Sequence, residues 1–504
     1  MSTWCNRCNA KVLRPERCVA LGGAAPCSAC TEDIELEKEM DELEIRVEKI
    51  HIRRRALRTV MNQNHDCLIH KLPPEIISHI FVQPQYAPPS PHPTRKYINH
   101  SPLYLGAVCE KWRQLAWATP QLWSSLHVKV KRIYGTREYP FQLVAEWLER
   151  SASLPLSIRL STGWDLEHIQ YEDKAYARMI NILNEHSARW YDIHLTVPVR
   201  HLHRFRGSSQ GNMLRRLALL HSYHIPSDFS TFSMKSKPSP TDLTLMTVGL
   251  AYVDIAWNNL TTASLICMRV DECVELILRA PLLESLTLHE ITMPSDISLD
   301  SNKRIVHPRL HSLEFLGSKD ETAVARFLDS VNLPSLEKWI HNRSSFPLNN
   351  VLSFIEHISS GLKRFKIISP NATDLCITGV FPHLSSLEFL ELRTDQYNTT
   401  DELLDLLCHG VSDESPLFLP CLQSLEIDCG PSVTWKYLPR VFASSRWRSL
   451  RVKVDIKRYH WNEIKDEAAK PLLELVDKGF DFSIVMDGKI DVLQEYKDSE
   501  KCHL

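Results

Sequence analysis

The apolar positions of the chain follow three different spacings. Between residues 31 and 64 they alternate in steps of four and three, as in a heptad helix. Residues 68–128 contain two short helical patterns separated by a proline-rich insert over 82–102. Residues 140–490 alternate short leucine-rich strands with helical patterns. The chain therefore predicts an α/β protein in which helices precede a long repeat region. Residues 1–30 form a separate cysteine-containing segment, and residues 491–504 form a polar tail.

The heptad stripe extends over seven apolar residues, and Arg54 interrupts it once. Its members are Leu36, Met40, Leu43, Val47, Ile50, Leu57 and Met61. Thr31 is the predicted N-cap. Residues 31–44 carry eight acids and one base, whereas residues 45–60 carry six bases and one acid. Antiparallel self-pairing would match these halves, so the segment predicts either a coiled-coil homodimer through residues 31–64 or a helix packed on its own domain.

Two apolar helical patterns lie on either side of the proline-rich insert. The first begins at Pro73 or Pro74, because proline fits the first turn of a helix. The second runs from Leu103 to Ala118 and contains Trp112. On apolar spacing alone, this region predicts a small three-helix domain with an ordinary core.

The order of residues in these patterns resembles an F-box. The matching stretches are Leu72-Pro73-x-Glu75-Ile76, Val108-Cys109-x-x-Trp112-Arg113-x-Leu115-Ala116 and Leu122-Trp123. They are most similar to fungal F-box-like proteins, which place a heptad helix before the box and leucine-rich repeats after it. The resemblance implies a module that binds the Skp adaptor of a cullin ubiquitin ligase. It assigns the adaptor contacts to Leu72, Pro73, Ile76, Ile80, Val108, Cys109 and Trp112. The insert over 82–102 is long for an F-box.

A second motif, Pro-x-Leu-x-x-Leu-x-apolar, recurs in the C-terminal half. Five copies begin at Pro281, Pro308, Pro334, Pro382 and Pro420, and two weaker copies begin at Ser360 and Ser445. The successive steps are 27, 26, 26, 22, 38 and 25 residues, mostly within the range of roughly 20–29 that leucine-rich repeats use. Such repeats bury their apolar faces only against neighbouring repeats. We therefore predict an irregular leucine-rich-repeat solenoid over 140–490, and the alternative is an unrelated α/β domain.

Side chains between the repeated leucines are expected on the concave face of the sheet, because strand side chains alternate between faces. Their charges change sign along the array, which suits a protein target of mixed charge. The predicted target-binding residues are Lys366, Glu388, Glu426 and Arg451.

The N-terminal segment contains two Cys-x-x-Cys pairs, Cys5 with Cys8 and Cys27 with Cys30. Zinc prefers four soft ligands in a tetrahedron, and each pair can supply two of them from one turn. The spacing predicts a structural zinc site as the one candidate cofactor, and the alternative is four ordinary thiols.

Composition narrows the function further. Lys and Arg number 59 against 61 Asp and Glu, so the formal charge of −2 disfavours general nucleic-acid binding. Only 15 glycines occur, and phosphate-binding loops depend on glycine. Gly207-x-Ser209-x-Gly211 matches a nucleophile elbow, but a basic stretch precedes it instead of the required apolar strand. No catalytic residue is predicted.

The chain shows no export signal and no apolar stretch long enough to cross a membrane. Fourteen scattered cysteines fit a reducing compartment, the cytoplasm or the nucleus. Taken with these features, the F-box resemblance and the predicted repeats imply a non-enzymatic substrate-recognition subunit of a Skp–cullin–F-box ubiquitin ligase, whose partners would be the Skp adaptor, the cullin scaffold and an unknown protein target. The alternative is a leucine-rich-repeat protein-binding scaffold unrelated to ubiquitination.

Overall fold

The computed structural model of the protein describes residues 3–4, 11–12, 28–65, 71–83, 102–130, 141–162, 173–209, 211–221, 230–294, 304–358, 361–368, 379–393, 397–409, 418–429, 437–443, 445–456, 466–486, 490–494 and 496. The chain forms two compact units, Met1–Trp123 and Ser124–Leu504. Among the described helices, none has the length and apolar composition needed to cross a lipid bilayer.

The first unit is mainly helical. Its helices are α1 Ser28–His65, α2 Pro74–Val82, α3 Pro102–Val108 and α4 Glu110–Trp117, followed by a 3₁₀ helix over Pro120–Trp123. Thr3–Trp4 and Lys11–Val12 pair as two short antiparallel strands. The prediction of Thr31 as N-cap is wrong, because α1 already begins at Ser28. Helix α2 begins at Pro74, as predicted, because Pro73 and Pro74 need no helical hydrogen-bond acceptor for an N–H.

The predicted single helix from Leu103 to Ala118 is broken at Cys109. This residue has an extended backbone, and its Sγ accepts a hydrogen bond from the Trp112 N–H at 3.5 Å, so it caps α4. The two helices remain in contact, since Arg113 Nε donates to the Gly106 carbonyl at 2.8 Å. A Cβ at Gly106 would lie 2.0 Å from the Trp117 ring, so this close approach requires glycine.

The second unit contains, within its described residues, one sheet of fifteen strands. The strands are β1 Ser125–Val130, β2 Leu156–Thr162, β3 Trp190–Thr196, β4 Arg216–Leu220, β5 Asp242–Met246, β6 Thr262–Ile266, β7 Ser285–His289, β8 Ser312–Leu316, β9 Lys338–Asn342, β10 Arg364–Ile368, β11 Phe389–Arg393, β12 Ser424–Cys429, β13 Arg451–Ile456, β14 Phe482–Met486 and β15 Ile490–Asp491. Each strand pairs with the next in chain order. All these pairs are parallel except the last, β14 with β15.

Helices lie between most of these strands in the sequence. They are α5 Phe141–Arg150, α6 Asp173–Glu185, α7 Val270–Arg279, α8 Glu321–Ser330, α9 Leu348–Ile358, α10 Tyr397–His409, α11 Tyr437–Ala443 and α12 Asp466–Asp477. The structure thus confirms an α/β protein with a long parallel sheet and many helices. Its chain-ordered strands are compatible with a solenoid-like α/β fold.

Alternating burial along the strands positions the core. In β7, Leu286 and Leu288 are buried while the residues on either side of them are half-buried, and β8 repeats this pattern. Helices cover the buried side: the Phe315 ring lies 5.6 Å from Phe327 of α8, and the Trp339 ring lies 5.4 Å from Phe354 of α9. The opposite side of the sheet, which carries the half-buried residues, is called the open face below.

Two repeats have a different phase from the predicted phase. The copy that begins at Ser445 predicts a strand from residue 449, but β13 begins at Arg451. The motif that begins at Pro382 predicts a strand containing Glu388, but Pro382 lies in a 3₁₀ helix over Phe381–His383, and β11 begins at Phe389. The starts of β7 to β13 are therefore separated by 27, 26, 26, 25, 35 and 27 residues. This spacing is more regular than the predicted one.

Five successive strands, β5 to β9, end in the same turn. The residue after each strand has a positive φ: Thr247, Cys267, Glu290, Gly317 and Arg343. Each of these residues donates its backbone N–H to the carbonyl of the last residue in the following strand, as Thr247 does to Ile266 at 3.0 Å and Cys267 to His289 at 2.8 Å. The turn therefore connects adjacent repeats at one edge of the sheet, and only one of the five positions is glycine.

Candidate functional site

The first candidate site is an apolar surface of the helical unit. On α2, Ile77 and Phe81 are buried, whereas Ile76 and Ile80, one turn apart, are 48% and 52% exposed. Val108 at the end of α3 is 46% exposed. Burial is thus complete on one side of α2, and two large β-branched side chains remain uncovered on another.

Helix α4 is joined to α2 by an aromatic contact. The rings of Phe81 and Trp112 lie 4.7 Å apart, and the Thr119 hydroxyl donates to Ser78 Oγ at 3.0 Å. Below this contact, Trp123 is fully buried and its Nε1 donates to the Ala116 carbonyl at 2.7 Å. Trp112 therefore supports the packing of α2 while it remains partly accessible.

The seven residues that the sequence resemblance assigns to an adaptor all lie within α2 to α4 or just before them. Pro73, Ile76, Ile80 and Val108 are exposed, and Leu72, Cys109 and Trp112 are half-buried. We call these seven residues the helical apolar surface. The resemblance does not point to Tyr104, which is 70% exposed on α3. The sequence signal that could have identified Tyr104 was an aromatic residue among the apolar residues of the helical pattern from Leu103 to Ala118.

The second candidate site is the open face of the sheet. Glu391 lies at the centre of β11, and its side chain is only 7% exposed. Lys366 Nζ of β10 lies 2.8 Å from one carboxylate oxygen of Glu391, and Arg393 Nε lies 2.7 Å from the other. This three-residue cluster is the most buried ion-pair group that the described residues form on this face.

Sequence reasoning assigned the wrong acidic residue to this position. Glu388 is exposed and precedes β11, whereas Glu391 occupies the strand position that pairs with Lys366 and Glu426. Two overlapping copies of the leucine motif caused this error. The alternation of Leu390 and Leu392 around Glu391 was the signal that could have identified it.

The other predicted target-binding residues do lie on β12 and β13. Glu426 is half-buried and faces Lys453 in the register of the next strand. Arg451 Nε lies 2.7 Å from an Asp481 carboxylate oxygen. This hydrogen bond raises the pKa of the Arg451 guanidinium above its usual value. On the N-terminal side of the cluster, Lys338 Nζ lies 2.7 Å from Glu314 Oε1, so charges of both signs occur on the open face.

The predicted zinc site falls mostly outside the described residues. Cys5, Cys8 and Cys27 lie outside them, and Cys30 is half-buried in the first turn of α1. Within the described ranges, no three His, Cys, Asp or Glu side chains come together as a metal site would require. Zinc binding by the four cysteines stays a prediction.

The described residues 207–209 and 211 lie outside helices and strands, in agreement with the sequence. They follow a 3₁₀ helix over Val199–Arg204, and both glycines have positive φ. The Gly207 N–H donates to Asn184 Oδ1 at 3.3 Å. The apolar strand that a nucleophile elbow requires is replaced here by a basic 3₁₀ helix.

Comparisons with known proteins give no family. No protein-family model and no curated protein matches the chain. Among solved structures, the crystal structure of a Bacteroides fragilis protein from the Northeast Structural Genomics Consortium is similar over 71% of this chain and 76% of its own. The identity is 13% and the TM-score is 0.25, which is too low to support an argument about function.

Proposed function

We propose that the protein is the substrate-recognition subunit of a Skp–cullin–F-box ubiquitin ligase. The helical apolar surface would bind the Skp adaptor, which joins the chain to the cullin scaffold, and the open face would bind a protein target. The observation that carries this proposal is the exposure of Ile76, Ile80 and Val108, three apolar residues at positions where the F-box resemblance expects adaptor contacts.

The packing of α2 supports a binding role for these residues. Ile77 and Phe81 already bury the inner side of the helix, and Phe81 contacts Trp112. Ile76 and Ile80 are only about half covered, and exposed β-branched residues lower helix propensity slightly. Large apolar side chains left exposed in this way are typical of a protein-binding site.

The open face supports the second half of the proposal. Parallel repeats expose a long row of side chains that neighbouring strands hold in register. Lys366, Glu391 and Glu426 lie side by side in that register, so one short stretch presents both signs of charge. Complementary charges of this kind favour specificity for a protein target over binding of a polyanion.

The adaptor is the first partner to test. We expect purified full-length protein to bind a purified Skp-type adaptor, and the double variant Ile76→Asn/Ile80→Asn to bind at least about 100-fold more weakly, since two buried anchors would be lost. Leu278→Asn is the matched control, because Leu278 is 63% exposed on α7 in the other unit. Wild-type protein without adaptor affinity, or a double variant that binds normally, would refute the proposal.

The same preparation tests the target face. Glu426→Lys and Lys366→Gln should remove co-purifying target proteins while the adaptor is retained. Glu356→Lys, on the exposed side of α9, should retain both. Equal loss of targets from all three variants would contradict a role for the open face.

A further inference from the structure

Helix α1 carries an uncovered apolar stripe over most of its length. The helix has 38 residues and is therefore about 57 Å long. All seven apolar residues of the stripe are between 50% and 62% exposed: Leu36, Met40, Leu43, Val47, Ile50, Leu57 and Met61. An isolated helix with such a stripe gains stability when a second apolar surface covers it.

We propose that α1 pairs with α1 of a second copy of this chain, in antiparallel orientation. This inference goes beyond the proposed function, because none of the residues involved belongs to the helical apolar surface or the open face. Charge along α1 decides both the partner and the orientation. The first half, residues 31–44, has eight acids and one base, and residues 45–60 have six bases and one acid.

A parallel pair would bring like charges together. In a parallel heptad pair, residues beside the stripe face residues five positions further along the partner. Glu32 would then face Glu37, Glu39 would face Glu44, and Arg53 would face Arg58. Like charges at these positions oppose association, so the sequence of α1 disfavours this orientation.

An antiparallel pair brings opposite charges together and keeps the stripe in register. With Leu43 opposite the partner's Val47, Met40 lies opposite the partner's Ile50, and Glu39 lies beside the partner's Arg53. The break in the heptad is also explained. Arg54 then lies opposite the partner's Leu36, where its aliphatic stem covers the leucine and its guanidinium lies among the partner's acidic residues.

The outer side of the helix provides a control for this geometry. Glu48 and Arg55, two turns apart, form an ion pair at 2.7 Å away from the stripe. Ile45 and Ile52 also lie outside the stripe in the heptad, yet they are 57% and 56% exposed, compared with 51% and 54% for Leu43 and Ile50. The two pairs of residues therefore differ in heptad position but hardly in exposure.

The first experiment measures the oligomeric state of the full-length protein by sedimentation equilibrium. Wild type should be a dimer at micromolar concentration. Leu43→Asn/Ile50→Asn should self-associate at least about 100-fold more weakly, and Ile45→Asn/Ile52→Asn should remain as wild type. Monomeric wild type, or equal weakening by the two double variants, would overturn the proposal. Adaptor binding is measured separately, so this failure would not be confused with failure of the proposed function.

The second experiment tests orientation by self-sorting. A charge-swapped chain carries Glu35→Lys, Glu37→Lys and Glu39→Lys together with Arg53→Glu, Arg54→Glu and Arg55→Glu. In antiparallel pairs the swapped chain should form its own dimers and exclude wild type, with mixed dimers at least about 10-fold below the statistical fraction. Statistical mixing, which parallel pairing predicts because each swapped residue would face an unswapped one, or preferred mixed dimers would overturn the antiparallel assignment. Differently tagged chains, unfolded and refolded together, provide the readout.

Discussion

Helix α1 and the repeat array contain the same kinds of apolar residue with opposite exposure. Leu43 and Ile50 of α1 are more than half exposed, whereas Leu286 and Leu313 in β7 and β8 are fully buried. Both segments are periodic, but the array repeats over about 26 residues and α1 over about 3.5. In the array, each repeat buries its apolar residues against the next repeat of the same chain. A single helix cannot cover itself, so its periodicity predicts a need for burial without supplying the partner.

The strongest test of whether burial stabilises the array is to truncate a buried and an exposed leucine of the same repeat. Leu286→Ala should lower the free energy of unfolding by about 3–5 kcal/mol, because the side chain is fully buried and leaves a cavity. Leu278→Ala in the preceding helix should lower it by less than about 0.5 kcal/mol, since that side chain is 63% exposed. Urea unfolding followed by circular dichroism measures both. Equal destabilisation would show that burial in the array is not what stabilises it.

A second test concerns a polar group within the buried side. His341 of β9 lies among Phe315, Trp339 and Phe346, and its Nε2 donates to the Ser345 carbonyl at 2.9 Å. Burial lowers the pKa of His341 to about 4. The folded chain therefore keeps His341 neutral where the unfolded chain, with a pKa of about 6.5, binds a proton.

The stability contributed by neutral His341 should be complete above about pH 6.5 and should be lost as the pH falls toward 4. The expected loss of unfolding free energy is about 3 kcal/mol over this range. His341→Gln keeps an N–H donor but does not titrate, so its unfolding free energy should fall less steeply with decreasing pH. Identical slopes in urea unfolding at several pH values would contradict this assignment.

The smallest expected effect on the free energy of unfolding comes from the open face, where a buried and an exposed ion pair can be compared. Glu391→Gln should destabilise the protein by about 1–2 kcal/mol, because it leaves Lys366 and Arg393 beside a buried neutral group. The matched variant is Glu337→Gln. Glu337 pairs with Lys363 at 3.0 Å, but both side chains are about half exposed, so the loss should stay below about 0.5 kcal/mol. A Glu337 effect as large as that of Glu391 would contradict this ranking.

Much of the array could be predicted from sequence because leucine-rich strand patterns and helical patterns alternate along most of it. The helical patterns predicted between the leucine-rich strands are observed, for example, as Val270–Arg279 and Glu321–Ser330. The strand near Pro382 could not be placed, since Leu384 and Leu387 match the same motif as Leu387 and Leu390. Pairing with β10 decides between them: the N–H groups of Glu388 and Phe389 both donate to the Lys363 carbonyl.

The candidate sites also contain residues that local sequence could identify and residues that it could not. The F-box resemblance pointed to Ile76, Ile80 and Val108, because its motif assigns a role to each position of a short local sequence. Glu391 was missed because the motif was placed three residues too early, and local sequence carries no information on its contact with Lys366 from another strand. The break at Cys109 was missed for a related reason, since thiol capping of a helix has no strong sequence signal.

The recurrent left-handed turn has a consequence for how the second unit unfolds. Each turn after β5 to β9 donates its N–H to the strand of the next repeat, so a repeat that melts leaves its neighbour with an unpaired backbone donor. Coupling of this kind penalises boundaries between folded and unfolded repeats. Melting should therefore spread across β5 to β10 as one cooperative block, even though no single repeat holds a core of its own.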